Sequence, residues 1–438
     1  MHIWLVAGGI VLLLLLIIAL KLNAFLSFVV VSLLLGLAAG MPVTKVVGSL
    51  QEGIGETLGL IVLILGFGAM LGKLVADSGA AQRIASRLIK AFGIKYIQWA
   101  MVLTGFIVGI PMFYNVGFVV LIPLVFTVAA STGQPLLYVG VPMLASLSVT
   151  HGFLPPHPSP TAIATMFGAD IGKTLGYGVI VAIPAIVIAG PYFSRALKKI
   201  NATPIKEFVN PKVLTDAEMP GTGISVLITL LPVLLIGIAT ISSVIMSEGN
   251  GLLTFLKFIG DPVIAMLVSL IAAVLFLGIL RGRKMGEMMD SLGNSIGSIT
   301  MVLLLIAGAG GFKQILVDSG ISKEIGALLS SSSMSPLLLA WIISALLRIC
   351  VGSATVAGLT TAGILVPLAS QGSVNKELMV LAIGAGSLTL SHLNDGGFWM
   401  FKEYFNLSIK DTFRSWTVME TLVSIIGLGG VMLLSLFV

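Results

Sequence analysis

Five ionisable side chains stand in interrupted parts of otherwise apolar stretches. His151 and His157 fall within the run HGFLPPHPSP, and His392 and Asp395 fall within SHLNDGG. Arg348 closes an apolar segment just ahead of the run GSATVAG. An imidazole titrates near neutral pH and can carry a proton, whereas a guanidinium binds carboxylates through charge-assisted hydrogen bonds. These residue types therefore predict binding of a small anion together with proton movement.

Each of these residues also has a structural interpretation. Arg348 can be an anchor whose long side chain reaches the membrane surface, and the two interpretations have equal weight. Asp395 can cap a short helix that starts at the next residue, and this role is compatible with ligand binding. His151 and His392 are expected to hold helix ends, whereas His157, among the prolines, is expected to be functional.

Two further sets of residues also have both a functional and a structural interpretation. Ser353 and Thr355 lie in the run GSATVAG, where small hydroxyl residues let backbone amides approach a ligand; we favour binding over helix packing. Glu420 is a single acid in the last apolar stretch. It is either a proton relay or a partner of Arg414, and both interpretations remain open.

The composition places these residues in a membrane protein. Of 438 residues, 57% are hydrophobic and 10% are charged, whereas about 25% are charged in a typical soluble domain. A soluble enzyme is excluded, and a single cysteine excludes a disulfide framework or a thiolate zinc site. Neither an HExxH motif nor a phosphate-binding loop occurs, so we expect no enzyme, no primary pump, no metal and no cofactor.

Segment lengths predict helices that are interrupted inside the membrane. Residues 97–130 and 335–370 are too long for one straight crossing of about 30 Å and carry breaker clusters in their middle, so each is predicted to be a re-entrant hairpin. Residues 135–168 and 377–405 are each predicted to be one broken span. The first of these contains four prolines within ten residues, and the second contains HLNDGG.

The two halves of the chain are similar in sequence. LVADSG at 74–79 is matched by ILVDSG at 315–320, and LSVTH at 147–151 is matched by LTLSH at 388–392. Both matches have an offset of 241 residues. Such internal similarity is typical of transporters built from repeats.

The predicted fold is an all-α integral membrane protein built from an inverted-topology repeat. We predict a first membrane repeat at 1–200, a cytoplasmic linker at 201–222 and a second repeat at 223–438. Each repeat crosses the membrane five times, and this odd number inverts the second repeat. With the N-terminus in the periplasm, sixteen of the 24 lysines and arginines face the cytoplasm, as the positive-inside rule requires. The net charge of +6 therefore reflects topology, and no nucleic-acid partner is expected.

The four interruptions are expected to meet in one site at the membrane midplane. Unwound backbone at membrane depth is tolerated only where it is buried or lines a wet cavity. The helix ends that start at such breaks carry partial positive charge, which favours an anion. A small anionic or polar solute is therefore the expected ligand.

Six runs of residues form a recognisable pattern: LGFGAMLGK at 65–73, HGFLPPHP at 151–158, PTAIAT at 160–165, GSATVA at 352–357, SHLND at 391–395 and FW at 398–399. Together they resemble the gluconate permease family of bacterial gluconate:proton symporters, within the wider ion-transporter superfamily. The resemblance covers essentially the whole chain, and the proline-histidine run is its most specific part.

The resemblance implies proton-coupled uptake of gluconate or a related sugar acid by an elevator mechanism. We accordingly expect a multi-pass protein of the bacterial inner membrane, a homodimer, whose partners are a small anionic sugar acid and a proton. The alternatives are transport of another small hydroxy acid or D-serine, or an uncoupled anion channel or exchanger.

The first hairpin tip departs from the family pattern, because Asn115 stands where an acid is usual and an amide cannot ionise. The candidates for proton coupling are Asn115, at the position of that acid, His157 and Asp395. The residues predicted to bind the substrate are Tyr114, Asn115, His151, His157, Arg348, Ser353, Thr355, Asn394 and Asp395.

Overall fold

The computed structural model describes residues 2–204, 214–247, 249–321, 334–370 and 374–438. Within these ranges all regular structure is helical, which confirms the predicted all-α class. By length and composition, six of the described helices can cross a membrane, or up to eight if two bent helix pairs each form one span.

The first half of the described chain is a succession of helices joined by short turns. A π-helical turn, Ile188–Tyr192, continues the ninth helix, so that Ile171–Lys199 is one apolar stretch of 29 residues. The helices are α1 (His2–Leu14), α2 (Ala24–Ala38), α3 (Val43–Asp77), α4 (Ala80–Phe92), α5 (Ile97–Gly109), α6 (Tyr114–Thr132), α7 (Leu136–Phe153), α8 (Pro158–Phe167), α9 (Ile171–Val187) and α10 (Phe193–Ala196).

Short turns also join helices of the second half. A π-helical turn, Phe413–Thr417, joins its last two helices, so that Ile409–Leu434 is one stretch of 26 residues. The helices are α11 (Thr222–Ile245), α12 (Gly251–Ile259), α13 (Pro262–Ala273), α14 (Met285–Asp318), α15 (Pro336–Val351), α16 (Ala354–Ala369), α17 (Lys376–Gly386), α18 (Gly396–Tyr404), α19 (Ile409–Thr412) and α20 (Val418–Leu434).

The long helices α3 and α14, of 35 and 34 residues, cross with their backbones in contact. Gly53 of α3 and Gly310 of α14 meet at the crossing: a Cβ atom on Gly310 would lie 2.6 Å from the Gly53 carbonyl oxygen and would overlap the Thr57 hydroxyl. Small residues are the usual means by which helices approach this closely in membranes.

The same two helices end in the same way. Each ends at an aspartate, Asp77 or Asp318, followed by a serine and by a glycine with φ of 78°. A left-handed glycine closes a helix without the steric cost of a side chain. The carboxylates have different partners, because Lys73 donates to Asp77 at 2.8 Å and Gln314 donates to Asp318 at 3.2 Å.

Four interruptions separate consecutive helices in the two halves of the chain. Residues 110–113 lie between α5 and α6, and residues 352–353 lie between α15 and α16. Residues 154–157 lie between α7 and α8, and residues 387–395 lie between α17 and α18. Helices α15 and α16 have 16 residues each, or about 24 Å, which is less than the hydrocarbon thickness of about 30 Å.

We predict that Gly310→Ala destabilises the protein by about 1–3 kcal/mol, the usual range for overpacking, because the added methyl group forces α3 and α14 apart. Thermal unfolding of the purified protein in detergent measures this. Gly297→Ala on the same helix is the matched control, since a Cβ atom there meets nothing within 4 Å and alanine is the better helix former. Equal unfolding temperatures of the two variants would contradict a close crossing.

Candidate functional site

Three of the helix interruptions open onto one cavity of about 630 Å³. A volume in this range is typical of sites for small molecules. The wall is formed by the two hairpin tips (around residues 113–116 and 351–355), the segment between α17 and α18, the C-terminal part of α7 and the middle of the α19–α20 stretch. Its polar side chains are Tyr114, Ser148, His151, Arg348, Ser353, Thr355, Asn394, Asp395, Trp416 and Glu420.

Most of the predicted binding residues lie in this wall. Seven of the nine are there: Tyr114, His151, Arg348, Ser353, Thr355, Asn394 and Asp395. The side chain of Asn115, at the second position of α6, lies outside the described residues. His157 is described and lies away from the wall.

A hydrogen-bonded chain holds Arg348 at the cavity. Its Nη2 atom donates to Asp395 Oδ2, and the Ser391 hydroxyl donates to the same oxygen. Trp416 Nε1 in turn donates to the Ser391 oxygen at 2.7 Å. Arg348 is 3% exposed, so the interpretation in which it is an anchor that reaches the membrane surface is wrong.

Arg348 nevertheless keeps donors for a ligand. Its Nε and Nη1 atoms are buried without a hydrogen-bond partner among the described residues, and so are the Tyr114 hydroxyl and Nδ1 of His151. A buried polar group without a partner costs about 1–3 kcal/mol, and a charged one costs more. Four such atoms belong to three side chains that line one cavity, a pattern typical of a site for a polar, anionic ligand.

Asp395 combines two roles. Its Oδ1 atom accepts from the backbone N–H of Gly397 at 2.9 Å and caps α18, as predicted for a helix that starts after an aspartate. Its Oδ2 atom accepts from Arg348 and Ser391. The predicted capping role is confirmed, and both carboxylate oxygens are engaged.

The second hairpin tip touches the segment between α17 and α18. Gly352 has φ of 81°, and a Cβ atom there would lie 2.6 Å from the carbonyl carbon of Asn394. Asn394 Nδ2 donates to the carbonyls of Ile349 and Cys350 at 2.8 and 3.2 Å. His392 Nε2 lies 3.0 Å from the Ile349 carbonyl oxygen. The predicted role of His392 in holding a helix end is confirmed.

His157 holds the first hairpin tip in a related way. Its Nε2 atom lies 2.7 Å from the carbonyl oxygen of Gly109, the last residue of α5. The His157 side chain is buried, and its ring packs edge-on against that of His151 at 5.5 Å. Contrary to expectation, His157 does not line the cavity. Its Nε2 atom contacts the end of α5 instead.

Three helix N-termini face the cavity. The first residues of α6, α16 and α18 all line this cavity; they are Tyr114, Ala354 and Gly396. Free N–H groups and the helix dipole at these positions favour an anion. The Ser353 hydroxyl accepts from the N–H of Val356 at 3.4 Å, so it caps α16 as well as lining the cavity.

Sequence reasoning left three polar wall residues out of the predicted binding set: Ser148, Trp416 and Glu420. The Ser148 hydroxyl donates to Glu420 Oε1. The interpretation in which Glu420 pairs with Arg414 is wrong, because Arg414 lies 3.9 Å from Asp411 instead. Glu420 stands out in the sequence as a single acid in an apolar stretch, whereas nothing in the local sequence distinguishes Ser148 or Trp416.

The chain is similar to known transporters over its whole length. A family model described as GntP family permease matches residues 1–437. The high-affinity gluconate transporter of Escherichia coli (strain K12) is 53% identical over 433 residues, which cover 99% of each chain. The Gnt-II system L-idonate transporter of the same organism is 50% identical over 427 residues, which cover 98% of this chain and 97% of that one. The solved structure of Neisseria gonorrhoeae MtrF superposes with a TM-score of 0.68, covers 94% of each chain and is 17% identical, so it shows a shared fold.

We predict that Gly352→Ala destabilises the protein, by about 1–2 kcal/mol for the left-handed backbone alone and further because its methyl group overlaps Asn394. Gly396→Ala is the control at the same cavity, where a Cβ atom meets nothing within 4 Å. Unfolding temperatures in detergent compare the two variants. If Gly352→Ala were as stable as the control, the contact between the tip and Asn394 would be refuted.

Proposed function

The chain belongs to the GntP permease family, and from this membership we propose that it takes up gluconate or a closely related sugar acid together with a proton across the bacterial inner membrane. The family match and its relatives support transport of gluconate or sugar acids by a multi-pass membrane protein. Because these relatives are permeases and transporters, the prediction that the chain is not an enzyme is confirmed.

The observation that carries the proposal is the set of free donors around Arg348. A sugar acid has one carboxylate and several hydroxyl groups. The free nitrogens of Arg348 suit the carboxylate, while the Tyr114 hydroxyl and the free His151 nitrogen suit substrate hydroxyls. The three helix N-termini add favourable electrostatics for the same negative charge. An acid without hydroxyls would leave buried polar groups unpaired, so such a site favours polyhydroxy acids.

We also propose that the two halves form an inverted repeat and move as an elevator, with a periplasmic N-terminus and as a homodimer. The proposed units are the repeats 1–200 and 223–438, joined by the linker 201–222. In support, α5 to α8 and α15 to α18 follow in the same order at a similar spacing. The carbonyls of Gly109 and Ile349, 240 residues apart, are each contacted by a histidine from the neighbouring break.

The direct test is uptake of labelled gluconate into proteoliposomes with and without an inward proton gradient. We expect saturable uptake that the gradient increases, with L-idonate and D-serine as competitors to rank the substrates. Exchange of external for internal substrate separates a carrier from an anion channel, since a channel does not couple the two fluxes. The absence of saturable flux for every sugar acid would refute the proposal.

We predict that Arg348→Lys weakens gluconate binding by about 10- to 100-fold, because a charged hydrogen bond contributes about 1.5–3 kcal/mol. Lysine keeps a positive charge opposite Asp395 but removes the free guanidinium donors. Isothermal titration of gluconate measures the Kd. Arg414→Ala, which removes an arginine that is 61% exposed, is the control. An unchanged Kd in Arg348→Lys would assign Arg348 a structural role only.

We predict that Tyr114→Phe weakens gluconate binding by about fivefold, the effect of one neutral hydrogen bond of about 1 kcal/mol. Binding of a short carboxylic acid without hydroxyls should stay unchanged, since Tyr114 is assigned to a substrate hydroxyl. Tyr96→Phe, at an exposed tyrosine, is the matched control. Equal losses for both ligands would place Tyr114 at the carboxylate instead.

A further inference from the structure

We propose that Glu420 carries the proton that enters with the substrate, an inference that rests on the proposed sugar-acid transport through this cavity. Glu420 lies near the middle of the stretch Ile409–Leu434 and is 2% exposed. It lines the cavity on which Arg348 and Tyr114 also converge. Within the described part of the chain it forms no ion pair with a lysine or arginine. An ionisable group in such a position is costly and typically marks a proton pathway.

The charges of the wall explain why an anion needs a proton. Among the described lining residues Arg348 is the one lysine or arginine, and it pairs with Asp395. An ionised Glu420 therefore leaves the wall with one net negative charge, and a substrate carboxylate raises this to two. A protonated Glu420 leaves the wall neutral, so that the free donors of Arg348 attract the carboxylate. Binding of the proton and binding of the anion favour each other, which is the basis of coupling.

Ser148 can hydrogen-bond to the Glu420 carboxyl group whether that group is ionised or protonated. Its hydroxyl donates to Oε1 of the carboxylate. When the carboxyl group is protonated, the same serine oxygen can accept the new O–H, since a hydroxyl is both donor and acceptor. The serine oxygen therefore offers the carboxyl proton a hydrogen-bond acceptor.

The sequence candidates for proton coupling fit this role less well. Asn115 has an amide, which does not ionise. Both oxygens of Asp395 are engaged, by the N–H of Gly397 and by Arg348 and Ser391. His157 is bound to the end of α5 and lies away from the cavity wall.

The titratable groups around Glu420 come from several helices. Tyr114 faces it from α6, His151 lines the same cavity from α7, and Arg348 and Asp395 act on it from α15 and the start of α18. Helices α9 and α17 and the turn Ile188–Tyr192 also pack against α20. Their titratable residues are Lys173, Tyr177, Tyr192, Lys376 and Glu377, and none of these acts on Glu420. A tyrosine ordinarily titrates near pH 10, so His151 is the main competitor of Glu420.

The test compares the wild type with Glu420→Gln in proteoliposomes. Glutamine keeps the shape and the hydrogen bond to Ser148 but carries no exchangeable charge. We expect the variant to retain gluconate exchange across the membrane and to lose accumulation driven by a proton gradient. In weakly buffered detergent solution, gluconate should raise the pH of the wild type by proton uptake, and this signal should be lost in Glu420→Gln. Glu403→Gln, at an acid that is 57% exposed, is the matched control and should behave as the wild type.

Each other outcome is decisive. Proton uptake that persists in Glu420→Gln overturns the proposal, and its loss in His151→Gln or Asp395→Asn then identifies the carrier. A wild type that exchanges gluconate without proton uptake also overturns it, whereas a wild type without saturable exchange refutes sugar-acid transport itself. If Glu420→Gln fails to fold, Glu420→Asp replaces it in the test. This variant should keep proton uptake, but the pH midpoint of its gluconate binding should differ from that of the wild type. An unchanged midpoint overturns the proposal.

Discussion

Peptide groups inside a membrane must find hydrogen-bond partners within the protein, and the interrupted helices of this chain concentrate that requirement in one place. The carbonyls at the end of α15 are bound by Asn394 and His392, and the last carbonyl of α5 is bound by His157. The helix starts that follow face a cavity instead. The satisfied helix ends thus support the structure, and the helix starts direct their partial positive charge toward a solute.

The same constraint explains why the charged residues of the cavity are connected. A guanidinium buried as deeply as that of Arg348 needs a counter-charge, and Asp395 supplies it while it also caps α18. Ser391 and Trp416 then fix the position of Asp395. The pair leaves part of the guanidinium free, so that the group whose burial is costly is also the group that can recognise an anion. Glu420 lies outside this network, and its hydrogen-bond partner in the described part of the chain is Ser148.

Local signals were sufficient to predict where the helices are interrupted, since proline and glycine act on the backbone at their own positions. The breaks at 110–113 and 352–353 fall inside the predicted breaker clusters, and Asp395 caps the next helix. Partners distant in sequence were not predictable. Arg348 and Asp395 are 47 positions apart, and Ser148 and Glu420 are 272 apart. The position of His157 away from the cavity wall was not predictable for the same reason, because its ring contacts a carbonyl 48 residues away.

The contact between Asn394 and the end of α15 places Cys350 at the second hairpin tip. Its carbonyl accepts from Asn394, while its thiol is free and its side chain is exposed. As the chain has one cysteine, a fluorophore with maleimide chemistry attaches at a single native position without any engineering. The emission of that label then reports on the surroundings of the tip during turnover, in the unaltered polypeptide.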